Sequence, residues 1–266
     1  MVAGVPSDPV VVPAAVTALA LGRPTRPVWE DELGGLTFEV GERAERCFVK
    51  WVAPARGPEL DAEAVRLRWA VAFVAVPEVL ALGSDDTGAW LVTSPLPGTN
   101  AVAERWRAEP AKAVAAIGGG LRALHDALPV DGCPFSWSAS DRVDDARRRA
   151  TAGLLEPARW LEAHRSLTVD DALALVGDRP PIDRLVVCHG DACAPNTLLT
   201  DDGRWSGHVD LGALGTADRW ADLAVATWST EWNYGPGWER PLLDAYGVEP
   251  DEERTRYYRL LLDLGP

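Results

Sequence analysis

The stretch Val186-Val187-Cys188-His189-Gly190-Asp191-Ala192-Cys193-Ala194-Pro195-Asn196 decides the reading of this chain. A short apolar run, Leu185 to Cys188, reads as a strand that delivers an aspartate to a loop, and an asparagine follows. Downstream, Gly207-His208-Val209-Asp210 brings a second aspartate to another strand end. Phosphoryl transfer needs such a set: a carboxylate to orient and accept the proton of an attacking hydroxyl, and oxygen ligands to hold Mg²⁺ across phosphates. Asp191 fits the first role; Asn196 and Asp210 fit the second. Singly, structure is the better explanation, with Asp191 capping a turn and Asn196 making an Asx-turn. Together, in this order and spacing, they favour chemistry.

Working outward from that stretch, the first third of the chain reads mainly as strand. Val28 to Leu33 and Leu36 to Val40 flank Gly34-Gly35, a hairpin pattern. Cys47 to Val52 forms the next strand, and Pro58 to Val74 has helical spacing at Leu60, Ala64, Leu67 and Val71. Pro77 to Leu82 and Ala89 to Thr93 are two further strands, and Ser94-Pro95-Leu96-Pro97-Gly98 is a stiff connector. Beyond it the pattern turns helical: Pro110 to Leu128, with Gly118-Gly119-Gly120 as a mark of close packing, then Asp141 to Gly153, Thr168 to Val176, and the tail from Asp218 to Leu264. The expected fold is α+β and bilobal. Residues 1–93 form a small β-rich N-lobe, 94–98 a hinge, and 99–266 a large, mainly helical C-lobe.

Lys50 and Lys112 are the only lysines; every other basic side chain is arginine or histidine. Lys50 ends an apolar strand, where a charge is costly unless paired. In a chain that otherwise uses arginine, lysine there points to a site needing a compact ammonium. The alternative is a lysine snorkelling to the surface. Glu63 is the best-placed acid on the following helix, with Asp61 and Glu59 as rivals.

The chain has 266 residues, 47% hydrophobic and 25% charged, with a net charge of −14. This is an ordinary globular composition, with an acidic surface that repels nucleic acid and attracts cations. Cys47, Cys133, Cys188 and Cys193 show no metal-type spacing, which points to a reducing, cytoplasmic location. No apolar run reaches membrane-spanning length. The N-terminal stretch lacks a basic region and is interrupted by Pro6, Pro9 and Pro13, so a leader peptide is not expected.

The segments around Asp191 and Val209-Asp210-Leu211-Gly212 to Ala224 resemble the two motifs of the aminoglycoside phosphotransferase family, most closely the aminoglycoside 3'-phosphotransferases. Trp90-Leu91-Val92 and Leu96-Pro97-Gly98 resemble that family's hinge. The resemblance implies a protein-kinase-like fold and transfer of the γ-phosphate of ATP or GTP, with Mg²⁺, to a hydroxyl of a cationic aminoglycoside, the 3'-hydroxyl in this subgroup, giving antibiotic resistance. It implies Asp191 as catalytic residue, also touching substrate, and Asn196 and Asp210 as metal ligands. Lys50 would grip the phosphates while paired with Glu63, and Ser94 and Leu96 would meet the adenine. Pro95 has no N–H, so Leu96 is the expected donor. Amides at Gly34-Gly35 would lie over the phosphates. His189 becomes a loop-positioning residue. Arg219 and Asp222 read as a salt bridge fixing the metal loop to a helix.

Three departures bear on substrate. Relatives carry arginine where this chain has Ala213; Arg204 and Arg219 are candidate replacements. The terminal acid pair and aromatics are reduced to Asp263, and an expected acidic patch becomes Thr227 to Asn233, with Glu231 the remaining acid. Glu231 and Asp263 are the expected substrate-binding acids. Trp228 and Trp232 either stack on sugar or pack in the core. These departures keep open two other readings: a kinase of a different hydroxylated small molecule, and a pseudokinase that binds nucleotide without transfer.

Overall fold

The computed structural model describes residues 4–6 and 8–265. The outermost ends of the two expected lobes, and part of the N-terminal stretch just discussed, lie outside the described residues. The chain divides into two compact units, Met1–Pro97 and Gly98–Pro266.

The first unit opens with α1 (Ala14–Ala20), followed by β1 (Thr25–Glu30), β2 (Leu36–Val40), β3 (Cys47–Val52), α2 (Gly57–Ala70), β4 (Val79–Asp85) and β5 (Gly88–Thr93). The strands make one antiparallel sheet in the order β1-β2-β3-β5-β4. Alternation along β3 sends Cys47 and Val49 into a core with Phe38, Val40, Val92 and, from α1, Val16 and Ala20. Lys50 therefore faces the other way, toward α2. That helix buries Leu60, Glu63, Ala64, Leu67 and Ala70, whereas Val71 lies past its end and is exposed.

The second unit contains β6 (Thr99–Asn100), α3 (Glu104–Ala108), α4 (Pro110–Ala127), α5 (Ala139–Thr151), α6 (Val169–Gly177), β7 (Leu185–Cys188), β8 (Thr197–Leu199), β9 (Trp205–His208), β10 (Gly215–Asp218), α7 (Trp220–Tyr234), α8 (Glu239–Tyr246) and α9 (Glu252–Asp263). A β-carbon on Gly118 of α4 would lie 2.4 Å from the Leu242 carbonyl of α8, and one on Gly120 would lie 2.5 Å from the Trp205 ring. The glycines that weaken α4 as an isolated helix are what let it pack this closely. Helix α7 is buried from Trp220 through Thr230. Among the described residues no helix is long and apolar enough to cross a membrane.

Two elements differ from the expected boundaries for local reasons. Strand β1 runs from Thr25 to Glu30, not 28–33, because the Asp31 carboxylate accepts the Leu33 and Gly35 amides at 2.8 Å each and turns the chain early. Strand β4 continues to Asp85, whose carboxylate takes the Thr87 and Gly88 amides and closes the hairpin to β5 over two residues. Helix α1 and strand β10, neither expected from the sequence, are short and take their stability from tertiary packing.

Candidate active site

Buried strand β7 carries the chain into the loop of Asp191. The turn needs Gly190: its φ is 88°, and a β-carbon there would come within 2.3 Å of the Ala213 carbonyl. The Asn196 side-chain amide donates to the Asp191 carboxylate at 2.9 Å and to the Asp191 carbonyl at 3.0 Å. Asn196 leads into β8, and β8 pairs with β9 so that Thr197 faces His208. That register sets Asn196 opposite Val209, whose amide donates to the Asn196 carbonyl at 3.0 Å, and places Asp210 one residue further along. Asp210 holds a left-handed φ of 64°, a conformation disfavoured for a non-glycine residue and commonest at functional positions. Burial, and then the nearby Asp210 charge, push the Asp191 carboxyl above its ordinary value; hydrogen bonds from Cys193 and Asn196 offset this only in part. A carboxylate with a raised pKa is a better proton acceptor.

His189 links the two loops. Its Nδ1 accepts the Asp191 amide at 3.2 Å and its Nε2 donates to the Val209 carbonyl at 2.9 Å, which specifies the tautomer. Behind it, buried Asp222 accepts the His189 and Gly190 amides at 2.6 and 2.9 Å. The same carboxylate meets His125 Nε2 at 2.9 Å, and Tyr246 meets the other ring nitrogen at 2.8 Å. Burial pushes the Asp222 carboxyl up, but the His125 and amide hydrogen bonds outweigh it and the net shift is downward. The Arg219–Asp222 salt bridge read from the sequence is therefore corrected. Arg219 pairs with Asp183 at 2.6 Å, and Asp222 holds the Asp191 loop through the His189 and Gly190 amides while His125 of α4 fixes its carboxylate. The partner was invisible because His125 lies nearly a hundred residues upstream in α4.

In the first unit Lys50 Nζ lies 2.6 Å from Glu63 Oε2, and Glu63 is buried. The rival Glu59 is paired with Arg56, and Asp61 is exposed. The amides at the Gly34-Gly35 tip are taken up by Asp31, which leaves a plain hairpin rather than a phosphate cradle. The Ser94 N–H donates to the Glu78 carbonyl at 2.9 Å, and its hydroxyl oxygen accepts the Glu78 amide at 2.8 Å. The Leu96 carbonyl receives a long 3.5 Å contact from Arg46.

The expected substrate acids are separated in character. Glu231 is exposed and lines an open pocket with Thr230, Trp238 and Glu239. Asp263 is largely enclosed, meeting His164 Nδ1 at 2.6 Å and the Leu161 amide at 3.2 Å. Trp228 is buried, 5.1 Å from the Arg259 guanidinium and 5.3 Å from Trp232, which is half exposed. The two arginines considered as replacements at Ala213 are committed elsewhere, Arg204 to Asp202 and Arg219 to Asp183. None of the four cysteines is in a disulfide, and burial pushes the Cys188 and Cys193 thiols well above their ordinary value.

A loop carboxylate clasped by an asparagine, with a second aspartate nearby, on a fold of antiparallel sheet plus helical unit, fits a protein-kinase-like phosphotransferase. The chain belongs to the phosphotransferase enzyme family, whose model matches residues 28–258. It is 41% identical over 250 residues to an aminoglycoside 3'-phosphotransferase of Streptomyces fradiae, covering 87% of this chain and 91% of that one. It is 34% identical over 264 residues to a streptomycin 3''-kinase of Streptomyces griseus, covering 92% and 94%. Among solved structures it resembles an aminoglycoside-3'-phosphotransferase of type VIII, with a TM-score of 0.79 and 32% identity over 94% of this chain and 98% of that one. A Streptomyces rimosus aminoglycoside phosphotransferase, APH(3'')-Id, matches with a TM-score of 0.77 and 29% identity over 95% and 99%, and has been solved with ADP and streptomycin.

Proposed function

We propose that this chain is an aminoglycoside O-phosphotransferase that moves the γ-phosphate of ATP or GTP to the 3'-hydroxyl of a cationic aminoglycoside, and so confers resistance. The observation that carries it is the Asp191 carboxylate, clasped by Asn196 at 2.9 Å and raised in pKa by burial and Asp210. Asp191 orients the acceptor hydroxyl and takes its proton as the oxygen attacks. The Asn196 side chain gives its N–H groups to Asp191, so its carbonyl, with the Asp210 carboxylate, offers the hard oxygen set that suits Mg²⁺. When bound there, the ion neutralises charge on the phosphates. Lys50, fixed by Glu63, binds nucleotide phosphate, and the connector at Ser94 to Leu96 receives the adenine. Glu231 attracts the substrate's ammonium groups. The names of the relatives support the 3' assignment.

Asp263 favours a second reading. An acid already engaged by His164 and an amide has less to offer an ammonium group, which fits a different hydroxylated acceptor. Labelled ATP and GTP offered with aminoglycosides that have or lack the 3'-hydroxyl separate the two. Transfer that requires the 3'-hydroxyl, with the product's phosphate located by NMR, supports the first reading. Transfer only to other compounds supports the second, and nucleotide binding without any transfer sinks both.

A further inference from the structure

Among the described residues, the densest group of buried side-chain donors without a hydrogen-bond partner lies in α5. Arg142 is only 6% exposed, and its Nε, Nη1 and Nη2 atoms are all buried without a hydrogen-bond partner, carboxylates included. Its guanidinium carbon lies 4.7 Å from the Trp137 ring centroid, and Trp137 Nε1 is likewise buried and unpartnered. The π face eases the cation's burial without replacing a counter-charge. The other groups around it are the Tyr257 and Tyr258 phenols of α9, the Cys188 thiol of β7 and, more weakly, the Asp222 carboxylate of α7, whose oxygens are already engaged by His125 and the His189 and Gly190 amides. The Tyr257 hydroxyl donates to the Val176 carbonyl, and the Cys188 thiol to the Asp218 carbonyl. Burial lowers the guanidinium to about 10, so it stays charged at neutral pH.

A buried cation left uncompensated is strongly unfavourable. What compensates it follows from the chemistry of the unpaired atoms. Among the described residues, every buried side-chain atom without a partner is a nitrogen, and no buried side-chain oxygen is left over. A water would satisfy the Arg142 donors but needs acceptors for its own hydrogens. An anion needs only donors. We propose that Arg142, with Trp137 beside it, forms a buried site for a small monovalent inorganic anion of the chloride class, where α5 meets α9 and the end of β7. The ion locks the strand that carries Asp191 into its surroundings. The site is independent of the reading of the acceptor given above.

Thermal unfolding of the whole chain in potassium chloride and in potassium gluconate, at matched ionic strength, tests this. The melting temperature should be higher in chloride by about 2–5 °C and should saturate with chloride concentration. Arg142→Met, which keeps the stem and removes the charge, should lose that response. Equal melting temperatures in the two salts, or an undiminished chloride response in Arg142→Met, overturn the proposal. If Arg142→Met does not fold, crystals of the unaltered protein grown in bromide decide. An anomalous peak in contact with the Arg142 guanidinium supports the site, and water or empty density there refutes it.

Discussion

Half-buried Asp191 and the fully buried Asp222 behind its loop are pushed in opposite directions by their surroundings. Burial and the charge of Asp210 raise Asp191, whereas His125, His189 and the Gly190 amide bring Asp222 down. The first is suited to accept a proton and the second to stay ionised as an anchor. Asp191→Asn should lower kcat by roughly 10²–10⁴-fold with nucleotide affinity nearly unchanged. Turnover kinetics beside nucleotide titration check this, and substantial residual turnover removes Asp191 from the role. Asp222→Ala strips the partner from two amides and a histidine and should cost about 3 kcal/mol or more of folding stability, read by denaturant unfolding. The sign of its pH dependence follows from the lowered value. Its stabilisation is fully present above the ordinary carboxylate range and is lost as pH falls through the folded value. Asp222→Asn should therefore flatten the acid limb of the stability profile. That Asp191, Asn196 and Asp210 come together could be expected from the sequence, because few side chains offer oxygens of the kind such chemistry would use. The partnership of Asp222 with His125 was not, since no local pattern joins an acid of α7 to a histidine of α4.

At the scale of elements, two features decide where those groups stand. The β8–β9 register puts Asn196 beside Val209, so Asp210 arrives next to Asn196 by strand pairing rather than by side-chain attraction. Close packing of α4 supports that hairpin through Trp205 on Gly120. Gly120→Val should force the Trp205 ring aside and destabilise the protein by about 1–3 kcal/mol, measurable as a fall in unfolding midpoint. Gly119→Ala, where a β-carbon meets nothing within 4 Å, should be neutral or slightly stabilising through helix propensity. The contrast between neighbouring glycines separates packing from propensity. Strand β3, strand β7 and helix α4 were legible because each carries a strong local pattern. The early end of β1 and the late end of β4 were not, because a single aspartate in each turn captures the backbone amides and overrides the apolar pattern.

For the whole molecule, the net charge of −14 gives the solvent-facing surface a field that draws cations. With a cationic acceptor, KM should rise steeply as salt is added while kcat changes little, because screening weakens encounter and leaves the proton transfer alone. Steady-state kinetics over a salt series measure it, and a KM indifferent to salt argues for a neutral acceptor. Composition, the strand-to-helix change along the chain and the spacing of Asp191, Asn196 and Asp210 determined by themselves the fold class and the kind of reaction. Periodicity and oxygen chemistry are properties of neighbouring residues, and both can be read along a line. Only the tertiary structure decided that Asp263 is spent on His164, that Arg219 belongs to Asp183, and that Arg142 lies buried without a hydrogen-bond partner. Each of these depends on which distant segments pack together, and burial sets the strength of a charge only after the chain has closed around it.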